Sequence, residues 1–548
     1  ITYYWDYPSI FSGDIYAQNR QDWSPFWRTG TWAFLTTMRN FNKVAGYTND
    51  KTLDQFERMT GYRPRPGQFQ IVPHHMCHVA STFYDSPFSE ALTVTMDALG
   101  EKSSSIIAHC KDTKIDVIKE VFWPHSMGYL YLFITDFLGF QPNNDEYKVM
   151  GLAPYGNREK YREFFKSMVT LGADGSYKLD ADLMVQLTMT MDKNGVRYFP
   201  PGLTKHLGPT RKEHEPIEQR HMDIAASLQE CLELTMIHQL KHLRASTGLK
   251  NLCLAGGVTL NCTMNGVVAR SGLFDNVWIH TAAHDAGCSV GAALYGHHNI
   301  LGQPRHFQKK SHRYLGPAHP RTSLESALVE FDAKITHTRP DDVATTVAQA
   351  MANGKVVGFY QGRMEWGPRA LGNRSILADP RRDDMKDIVN HAVKLREGFR
   401  PFAPACLAEK ATEWFDMTGL KDSPYMLFIV PVVEDKRAKI PAVTHVDGSA
   451  RVQTVTAESN PRFHAVIKAF DKITGVPVVM NTSFNVKGEP IVNTPADAIR
   501  CFLGTQIDLL VLEDVVVEKR PEVAEALSKS RMKAEESGRV VDGRISAV

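Results

Sequence analysis

The sequence lacks several features that place a protein in a broad class at once. No apolar run approaches the roughly 20 residues that a membrane-spanning helix needs. Its 63 Lys and Arg stand against 61 Asp and Glu, a net charge of +2, so there is no overall basic excess of the kind that accompanies nucleic-acid binding. These absences exclude a membrane-spanning protein and give no reason to expect a nucleic-acid partner.

Paired cysteines and a targeting signal are also missing. The eight cysteines are scattered and form no C-x-x-C pair, which argues against a disulfide framework or a zinc ribbon. The pattern is typical of reduced, buried thiols, and we expect a cytoplasmic protein. The start, Ile1–Pro8, has no initiator Met and no secretory pattern. Its composition resembles the interior of a folded unit, so we expect a further segment upstream.

What is present is an ordinary globular composition in a long chain. Hydrophobic residues make up 43% and charged residues 23% of the sequence, which argues against disorder. A chain of 548 residues is too long for one hydrophobic core, so two or more domains are expected. Pro, Gly, His and Lys gather between Leu301 and Pro320, which predicts a linker. The predicted boundaries are 1–305, 306–520 and a charged tail at 521–548.

Short apolar runs followed by glycine turns and helices predict an α/β fold. Three strand-like runs follow a predicted helix at His74–Tyr84, namely Ala91–Met96, Ser105–His109 and Ile115–Phe122. Consecutive strands of this kind resemble the antiparallel start of an actin-like ATPase half. Later, the buried strand predicted at Asn251–Ala255 leads through a glycine turn into a helix, and similar units continue beyond the linker.

Two histidines four residues apart carry the first chemical signal. His74 and His78 would lie on one face of the predicted helix, where two imidazoles can chelate one metal ion. Asp97 ends a strand-like run, and Asp285 lies at a strand-to-helix turn, where α/β sheets place ligands. Two histidines with a carboxylate suit non-haem Fe(II), with Zn(II) and Mn(II) as alternatives. Histidines that hold no metal are the competing interpretation. Two neighbours point elsewhere and are interpreted as structural: His75 and Cys77.

A glycine pair follows the predicted strand Asn251–Ala255. Gly256 and Gly257 would let the backbone approach a nucleotide closely, and the N-terminus of the next helix, beside Asn261, favours a phosphate. An ordinary tight turn between a strand and a helix explains the same glycines equally well. The sequence therefore predicts a nucleotide contact here with a structural turn as the alternative.

Longer blocks of sequence resemble one known family, the NodU/CmcH carbamoyltransferases, over about 70–510. The blocks similar to its N-terminal domain are HHMCH (74–78), DALGE (97–101), FWPHSMGYLY (122–131), NDEYKVMGLAPYG (144–156), LAGGVTLN (254–261) and HDAGCSVGAAL (284–294). The blocks similar to its YrdC-like C-terminal domain are GRMEWGPRALGNRSILADPR (362–381), KLREGFRPFAPA (394–405), HVDGSARVQTV (445–455) and NTSFNVKGEPIV (481–492).

The resemblance implies a fold and an activity for each part. It implies an actin-like ATPase fold for 1–305 and a YrdC-like α/β fold for 306–520. The second would convert carbamoyl phosphate and ATP to carbamoyl adenylate, and the first would transfer the carbamoyl group to a hydroxyl of a small-molecule natural product. The protein would be an O-carbamoyltransferase, and the family habit suggests a homodimer. The implied metal ligands, with iron as the expected ion, are His74, His78, Asp97 and Asp285.

Basic residues are dense in the C-terminal blocks. Carbamoyl phosphate and ATP are both anionic, and Arg forks suit planar carboxyl and phosphoryl groups. The flanking segments are rich in Gly and Pro, as expected of positioned loops, whereas surface salt bridges are the alternative. The spacings K-x-R and S-x-N also resemble the paired signature of YrdC proteins. The predicted site residues are Arg369, Lys394, Arg396, Arg400, Arg451, Ser483 and Asn485, with Asn481 assigned to the nucleotide and Arg363 and Arg374 as further members of the basic group.

Two departures from the family pattern stand out. Family members usually begin with a glycine-rich strand and turn carrying His-Asp-Ser, then a segment of the E-E-R-F type, and neither occurs here. In the D-G-x-G-E turn, Ala98 replaces the first glycine. Because Ala enters positive φ at a greater cost than Gly, a locally different turn is expected.

Two other functions remain open at this stage. Carbamoylation of a protein thiol, as in hydrogenase maturation, predicts an acylphosphatase-like domain and C-x-x-C pairs, which this sequence does not show. A non-catalytic actin-like nucleotide-binding module gives no use to the K-x-R and S-x-N residues.

Overall fold

The computed structural model describes residues 2–3, 49–189, 199, 201–307, 314–394 and 397–536. The chain divides into two compact units, Ile1–Lys309 and Lys310–Val548. Each unit is built from helices packed on a central sheet, so the α/β fold expected from the sequence is confirmed. Most of Ile1–Pro8, where an interior-like stretch was predicted, lies outside the described residues.

The first unit holds one larger sheet and several short elements. Its strands are β1 (Thr2–Tyr3), β2 (Gln70–Ile71), β3 (Glu90–Gly100), β4 (Ser103–Lys111), β5 (Lys114–Phe122), β6 (Val169–Leu171), β7 (Tyr177–Leu179), β8 (Asn251–Ala255) and β9 (Asn276–Ile279). Its helices are α1 (Asn49–Thr60), α2 (His74–Asp85), α3 (Met127–Phe137), α4 (Glu146–Leu152), α5 (Arg162–Met168), α6 (Ala181–Met189), α7 (Pro201–Leu207), α8 (Gln219–Thr247), α9 (Cys262–Arg270) and α10 (Cys288–Tyr295).

The central sheet of the first unit has the strand order β5-β4-β3-β8-β9. β3, β4 and β5 form an antiparallel meander, whereas β8 and β9 run parallel to β3. The middle strands are buried on both faces, which explains the near-continuous apolar and small residues of Ala91–Met96. Because β3, β8 and β9 are parallel, their carboxyl ends meet at one edge, and the segments that follow all three strands lie there.

The second unit contains one large mixed sheet. Its strands are β10 (Ile335–Thr338), β11 (Val357–Tyr360), β12 (Arg374–Ala378), β13 (Ala403–Leu407), β14 (Val430–Pro431), β15 (Ser449–Ala450), β16 (Gln453–Val455), β17 (Val478–Ser483), β18 (Leu509–Leu512) and β19 (Val515–Lys519). Its helices are α11 (Arg321–Glu330), α12 (Val343–Ala352), α13 (Met385–Val389), α14 (Ala411–Trp414), α15 (Glu434–Arg437), α16 (Pro461–Thr474), α17 (Pro495–Leu503) and α18 (Pro521–Glu536).

Eight of these strands form the sheet β10-β19-β18-β11-β12-β17-β13-β16. The pairs β11–β18 and β13–β16 are parallel, and the remaining neighbours are antiparallel. Val357–Tyr360 and Leu509–Leu512 are fully buried, as their unbroken apolar sequences indicate. α13 continues into a wider helical turn, Asn390–Lys394, which carries Lys394 at its end.

Two expectations from composition can be compared with this structure. All eight cysteines are free and buried, as their scatter along the sequence predicted. None of the helices in the described part of the chain is both long and apolar enough to cross a membrane.

Candidate metal centre and anion site

Helix α2 presents two histidine rings to each other. His74 and His78 are both completely buried, and their Nε2 atoms lie 3.1 Å apart, as the spacing of four residues predicts. The carboxylate of Glu101 accepts the backbone N–H of His74 with both oxygens, at 3.1 and 3.2 Å. Glu101 therefore satisfies an amide that the first turn of a helix cannot satisfy itself, and holds the start of α2 in place.

Two carboxylates from the sheet edge approach these rings. Asp97 Oδ2, near the end of β3, lies 3.0 Å from His78 Nε2 and 3.6 Å from His74 Nε2. Asp285 Oδ1, after β9, lies 3.6 and 3.7 Å from the Nε2 atoms of His74 and His78. Metal bonds of about 2.0–2.2 Å place ligand atoms about 3.0–3.7 Å apart in a tetrahedral or octahedral shell. The four residues predicted as ligands thus converge, with both carboxylates at distances from the imidazole nitrogens that suit a shared metal ion.

The charges in this cluster favour a cation. Burial alone would raise the pKa of Asp97, but hydrogen bonds with His74 and His78 outweigh it and hold that pKa well below its usual value. Burial also opposes a charge on His78, yet the neighbouring Cys288 and the carboxylates of Asp285 and Asp97 raise the pKa of its imidazole. The two shifts are reciprocal: the imidazoles of His74 and His78 stabilise the Asp97 carboxylate, and the carboxylates with Cys288 stabilise a positive charge on His78.

Cys288, at the start of α10, is a neighbour that the sequence reasoning did not single out. Its Sγ lies 3.5 Å from both Nδ1 and Nε2 of His78, and it groups with His74, His78 and Asp285 as a fourth donor within 4.8 Å. A metal bound to Nε2 lies in the ring plane, directed away from Nδ1. A sulfur equidistant from the two nitrogens is off that direction, so in this rotamer Cys288 packs against the ring. Cys288 and Asp97 are alternative fourth donors beside His74, His78 and Asp285.

Three glycines allow close packing around His74 and the segment that carries Asp97. A Cβ on Gly100 would lie 2.5 Å from Cδ2 of the His74 ring. Gly256 has φ +96°, and a Cβ there would overlap the carbonyl oxygen of Met96 in β3. A Cβ on Gly257 would lie 3.1 Å from Asp97 Oδ1. The glycine pair therefore allows the turn after β8 to pack against the segment that carries Asp97.

The side chain of Asn261 forms hydrogen bonds with the start of α9 and with Gln229. Its Oδ1 accepts the N–H of Met264 and caps α9, and its side-chain amide exchanges two hydrogen bonds with the amide of Gln229. The packing thus accounts for Gly256, Gly257 and Asn261 without a nucleotide, and their assignment to nucleotide binding remains a prediction.

The ring of His75 is held by hydrogen bonds within the fold. His75 contacts Thr95 Oγ1 and the carbonyl oxygen of Ser103, each at 2.8 Å. Burial and the nearby His74 and His78 lower its pKa to about 3, so it is a neutral, structural residue, as interpreted from the sequence.

Ala98 lies inside β3, and the left-handed conformation falls instead on Glu101, with φ +44°.

In the second unit, three residues of the K-x-R and S-x-N signature meet around one ammonium group. Lys394 Nζ donates to the backbone oxygen and Oγ of Ser483, at 2.5 and 3.1 Å. It also donates to the backbone oxygen and Oδ1 of Asn485, at 2.9 and 2.7 Å. Lys394 is only 5% exposed, so a positive charge is fixed in a buried position at the end of β17. Arg396 lies outside the described residues.

The other predicted basic residues differ in their surroundings. Arg369 and Arg451 are half-buried. Asn481 of β17 donates a hydrogen bond to the carbonyl oxygen of Ala370, the residue after Arg369. It also donates to Gln453, two residues after Arg451. Arg400 donates to Glu397 over 3.5 Å, a local contact. The structure thus brings Lys394, Ser483 and Asn485 into direct contact. Arg369 and Arg451 are connected to β17 through neighbouring residues.

Two members of the basic group serve the fold. Arg374 is fully buried, lies 3.6 Å over the ring of Tyr360 and donates to the carbonyl oxygens of Gln361, Asn373 and Gly362. Its guanidinium is thus hydrogen-bonded to the residues that follow β11 and precede β12. Arg363 is exposed and donates to the carbonyl oxygen of Leu315 at 3.0 Å.

His445 is a further residue near the basic group that the sequence reasoning missed. Its Nδ1 lies 3.2 Å from Ser449 Oγ, and that hydroxyl donates to Asp447 at 2.6 Å. Burial, then the charges of Arg451 and Lys386, lower the pKa of His445 to about 4, although Asp447 opposes the shift. A neutral imidazole therefore lies within the electrostatic influence of Arg451.

Comparisons with known proteins point in one direction. The family model described as carbamoyltransferase N-terminus matches residues 52–294, and the one described as carbamoyltransferase C-terminus matches residues 348–519. Nodulation protein NolO of Bradyrhizobium diazoefficiens is 43% identical over 450 residues, which is 82% of this chain and 79% of that protein. The uncharacterized protein sll1178 of Synechocystis sp. is 41% identical over 474 residues, 81% of this chain and 75% of that protein.

Other matches cover less of the matched protein. Nodulation protein NolNO of Sinorhizobium fredii is 43% identical over 457 residues, covering 83% of this chain and 65% of that protein. The crystal structure of T. kodakarensis HypF matches 43% of this chain and 38% of its own, with 14% identity and a TM-score of 0.24. A similarity this slight supports no conclusion about fold or chemistry.

Proposed function

The chain belongs to the carbamoyltransferase family, and from that premise we propose that it uses carbamoyl phosphate and ATP to carbamoylate a hydroxyl of a small-molecule natural product. It is an enzyme that transfers carbamoyl groups. The observation that carries the proposal is the ammonium of Lys394, held by Ser483 and Asn485 in the second unit. A fixed, buried cation at a strand end suits the phosphates of both anionic substrates.

The first half of the proposed reaction takes place in the second unit. Water and carbamoyl phosphate give carbamate and inorganic phosphate. An oxygen of carbamate then attacks the α-phosphorus of ATP, and pyrophosphate leaves, which yields carbamoyl adenylate. The charge on the phosphates is greatest as each leaving group departs, so Lys394, with Arg369 and Arg451, would stabilise that charge. A YrdC-like fold for 306–520 is part of this proposal, and the contact of Lys394 with Ser483 and Asn485 supports it.

The second half takes place in the first unit. The acceptor hydroxyl attacks the carbonyl carbon of the adenylate, AMP leaves, and the hydroxyl proton passes to a base. His74, His78, Asp97 and Asp285 would hold a divalent metal ion, with Fe(II) proposed and Zn(II) or Mn(II) as alternatives. When bound, such an ion supplies Lewis-acid stabilisation for the phosphate of the leaving AMP. An actin-like ATPase fold for 1–305 is proposed as well, supported by an antiparallel meander that continues into parallel strands.

Pyrophosphate release tests the first half directly. With ATP and carbamoyl phosphate, the wild-type protein should release pyrophosphate, and Lys394→Ala should lower that rate by about a hundredfold to a thousandfold, the range seen when one preorganised donor is removed. Lys410→Ala is the matched control, because Lys410 is a lysine of the same unit paired with Asp471 at 2.6 Å. An unchanged rate in Lys394→Ala would contradict the proposal.

A further inference from the structure

Gln453, on the edge strand β16, has a side-chain amide whose orientation can be assigned from its partners. Its Nε2 lies 2.9 Å from the carbonyl oxygen of Leu371. A carbonyl oxygen only accepts hydrogen bonds, so the nitrogen of the amide must face Leu371. The Oε1 atom of Gln453 therefore faces the other way, towards Asn481 of β17.

The orientation of Asn481 follows from that of Gln453. The atom of Asn481 that meets Gln453 Oε1, at 2.8 Å, must be a donor, so it is Nδ2. The same nitrogen lies 3.3 Å from the carbonyl oxygen of Ala370, a second acceptor. Two independent acceptors thus fix the Asn481 amide, and its Oδ1 is turned away from both.

Asn481 Oδ1 is buried and receives no hydrogen bond from any residue that the structure describes. The residue as a whole is 1% exposed. Buried polar atoms almost always have a partner, and a missing one costs the full desolvation of the group. A donor from a bound molecule would remove that cost.

This acceptor lies on the same strand as a residue of the anion site. Asn481 and Ser483 are two residues apart on β17, so their side chains lie on the same face of the sheet, about 7 Å apart along the strand. Ser483 Oγ contacts Lys394 Nζ at 3.1 Å. A molecule bound at the ammonium of Lys394 would therefore reach Asn481 with a group on its far side.

We propose that Asn481 Oδ1 accepts a hydrogen bond from the amino group of the carbamoyl moiety, and that Gln453 positions Asn481 for this contact. The proposal rests on the proposed function and adds to it a residue that determines specificity. Carbamoyl phosphate has two N–H donors at one end and a phosphate at the other, which matches a buried acceptor beside a fixed cation. Acetyl phosphate has the same shape with a methyl group in place of the amino group. A site that hydrogen-bonds an N–H discriminates strongly against an analogue that lacks it.

Discrimination between these two acyl phosphates tests the proposal. Pyrophosphate release with ATP gives kcat/KM for carbamoyl phosphate and for acetyl phosphate, and calorimetry gives the two dissociation constants. The wild-type protein should favour carbamoyl phosphate in both measurements. Asn481→Ala should lower this preference about tenfold to a hundredfold, because only carbamoyl phosphate loses a partner. Gln453→Met leaves the Asn481 amide free to turn and should lower the preference by a smaller factor.

A matched control separates recognition from packing. Asn460 is also a buried amide of this unit, but its oxygen is occupied by Gln361 and by the backbone of Phe463. Asn460→Ala should lower thermal stability and leave the preference unchanged. Equal kcat/KM values and equal dissociation constants of the wild-type protein for the two acyl phosphates would overturn the inference. A preference of Asn481→Ala equal to that of the wild type would also overturn it. If no pyrophosphate forms with carbamoyl phosphate, the proposed function fails, whereas the two dissociation constants still decide the inference.

Discussion

Glu101 fixes the two histidines through the backbone and not through their rings. Its carboxylate receives the amide of His74, while Ser126 Oγ donates to the carbonyl oxygens of Asp97 and Ala98. The first contact ties the start of α2 to the residue after β3, and the second ties the start of α3 to the end of β3, so the donor atoms of His74 and Asp97 start from a fixed geometry. Such support reduces the reorganisation that metal binding would otherwise require.

The convergence of the four predicted ligand residues could be expected from the sequence because it follows from two general rules of α/β structure. A spacing of four residues on a helix brings His74 and His78 together, and parallel strands bring Asp97 and Asp285 to one sheet edge. Glu101 could not be assigned in this way, since it acts on a backbone amide 27 residues away. The pairing of Gln453 with Asn481, 28 residues apart, depends on strand register across the sheet, which local patterns do not encode.

Removal of one imidazole should release the metal. We expect His78→Ala to reduce bound transition metal to near zero, because its Nε2 is close to all three other proposed donors. Elemental analysis of the purified protein measures this directly. His109→Ala is the matched control, since His109 is a partly exposed histidine of the same unit paired with Glu90, and its metal content should equal that of the wild type. Equal metal in both variants would contradict the assignment.

Acidification should destabilise the second unit through His445. Its pKa is lowered to about 4 in the folded state, against about 6.5 when unfolded. Between these values the unfolded chain binds the extra proton, so stability falls as pH decreases from about 6.5 towards 4. At pH 5 the cost relative to pH 7 is about 2 kcal/mol.

Urea unfolding at pH 7 and pH 5 measures this effect. The difference in unfolding free energy between the two pH values should shrink by about 2 kcal/mol in His445→Gln, which cannot titrate. The same difference in the variant and the wild type would show that His445 is protonated normally in the folded state.

At the scale of elements, the close approach of α10 to α2 decides where the metal residues lie. Gly291 in α10 faces the backbone of Cys77 in α2, and a Cβ there would overlap the Cys77 carbonyl oxygen. Four strands predicted in the first unit lie within the observed bounds, namely Ala91–Met96, Ser105–His109, Ile115–Phe122 and Asn251–Ala255. The extension of β3 to Gly100 was not predicted, because Asp97–Gly100 joins the sheet only through an irregular pairing with β4.

Adding a methyl group at Gly291 tests the contact between α10 and α2. Gly291→Ala should lower the free energy of unfolding by at least about 1–3 kcal/mol, the usual cost of overpacking, and should reduce metal content because α10 follows directly after Asp285. Thermal unfolding and elemental analysis are the measurements. Gly202→Ala, in helix α7, is the control: a Cβ there meets nothing within 4 Å, so stability should stay equal or rise slightly. Equal stability in Gly291→Ala and the wild type would contradict the described packing.

At the scale of the whole molecule, two units carry two different kinds of site. A partly buried and an exposed carboxylate lie beside buried imidazoles in the first unit, whereas a buried ammonium lies among neutral oxygens in the second. The composition could not reveal this separation, because the net charge of the chain is only +2 and local charge is set by the fold. The two-step reaction proposed for this carbamoyltransferase therefore predicts that the steps can be lost independently.

Mass-spectrometric detection of carbamoyl adenylate in acid-quenched mixtures is the most direct test of this division of labour. With ATP and carbamoyl phosphate, the wild-type protein should form the adenylate, and with a panel of hydroxylated acceptors it should also form a carbamoylated product. His78→Ala should still form the adenylate but yield no product, whereas Lys394→Ala should form neither. Absence of the adenylate with the wild-type protein, or its loss in His78→Ala to the same extent as in Lys394→Ala, would contradict the account.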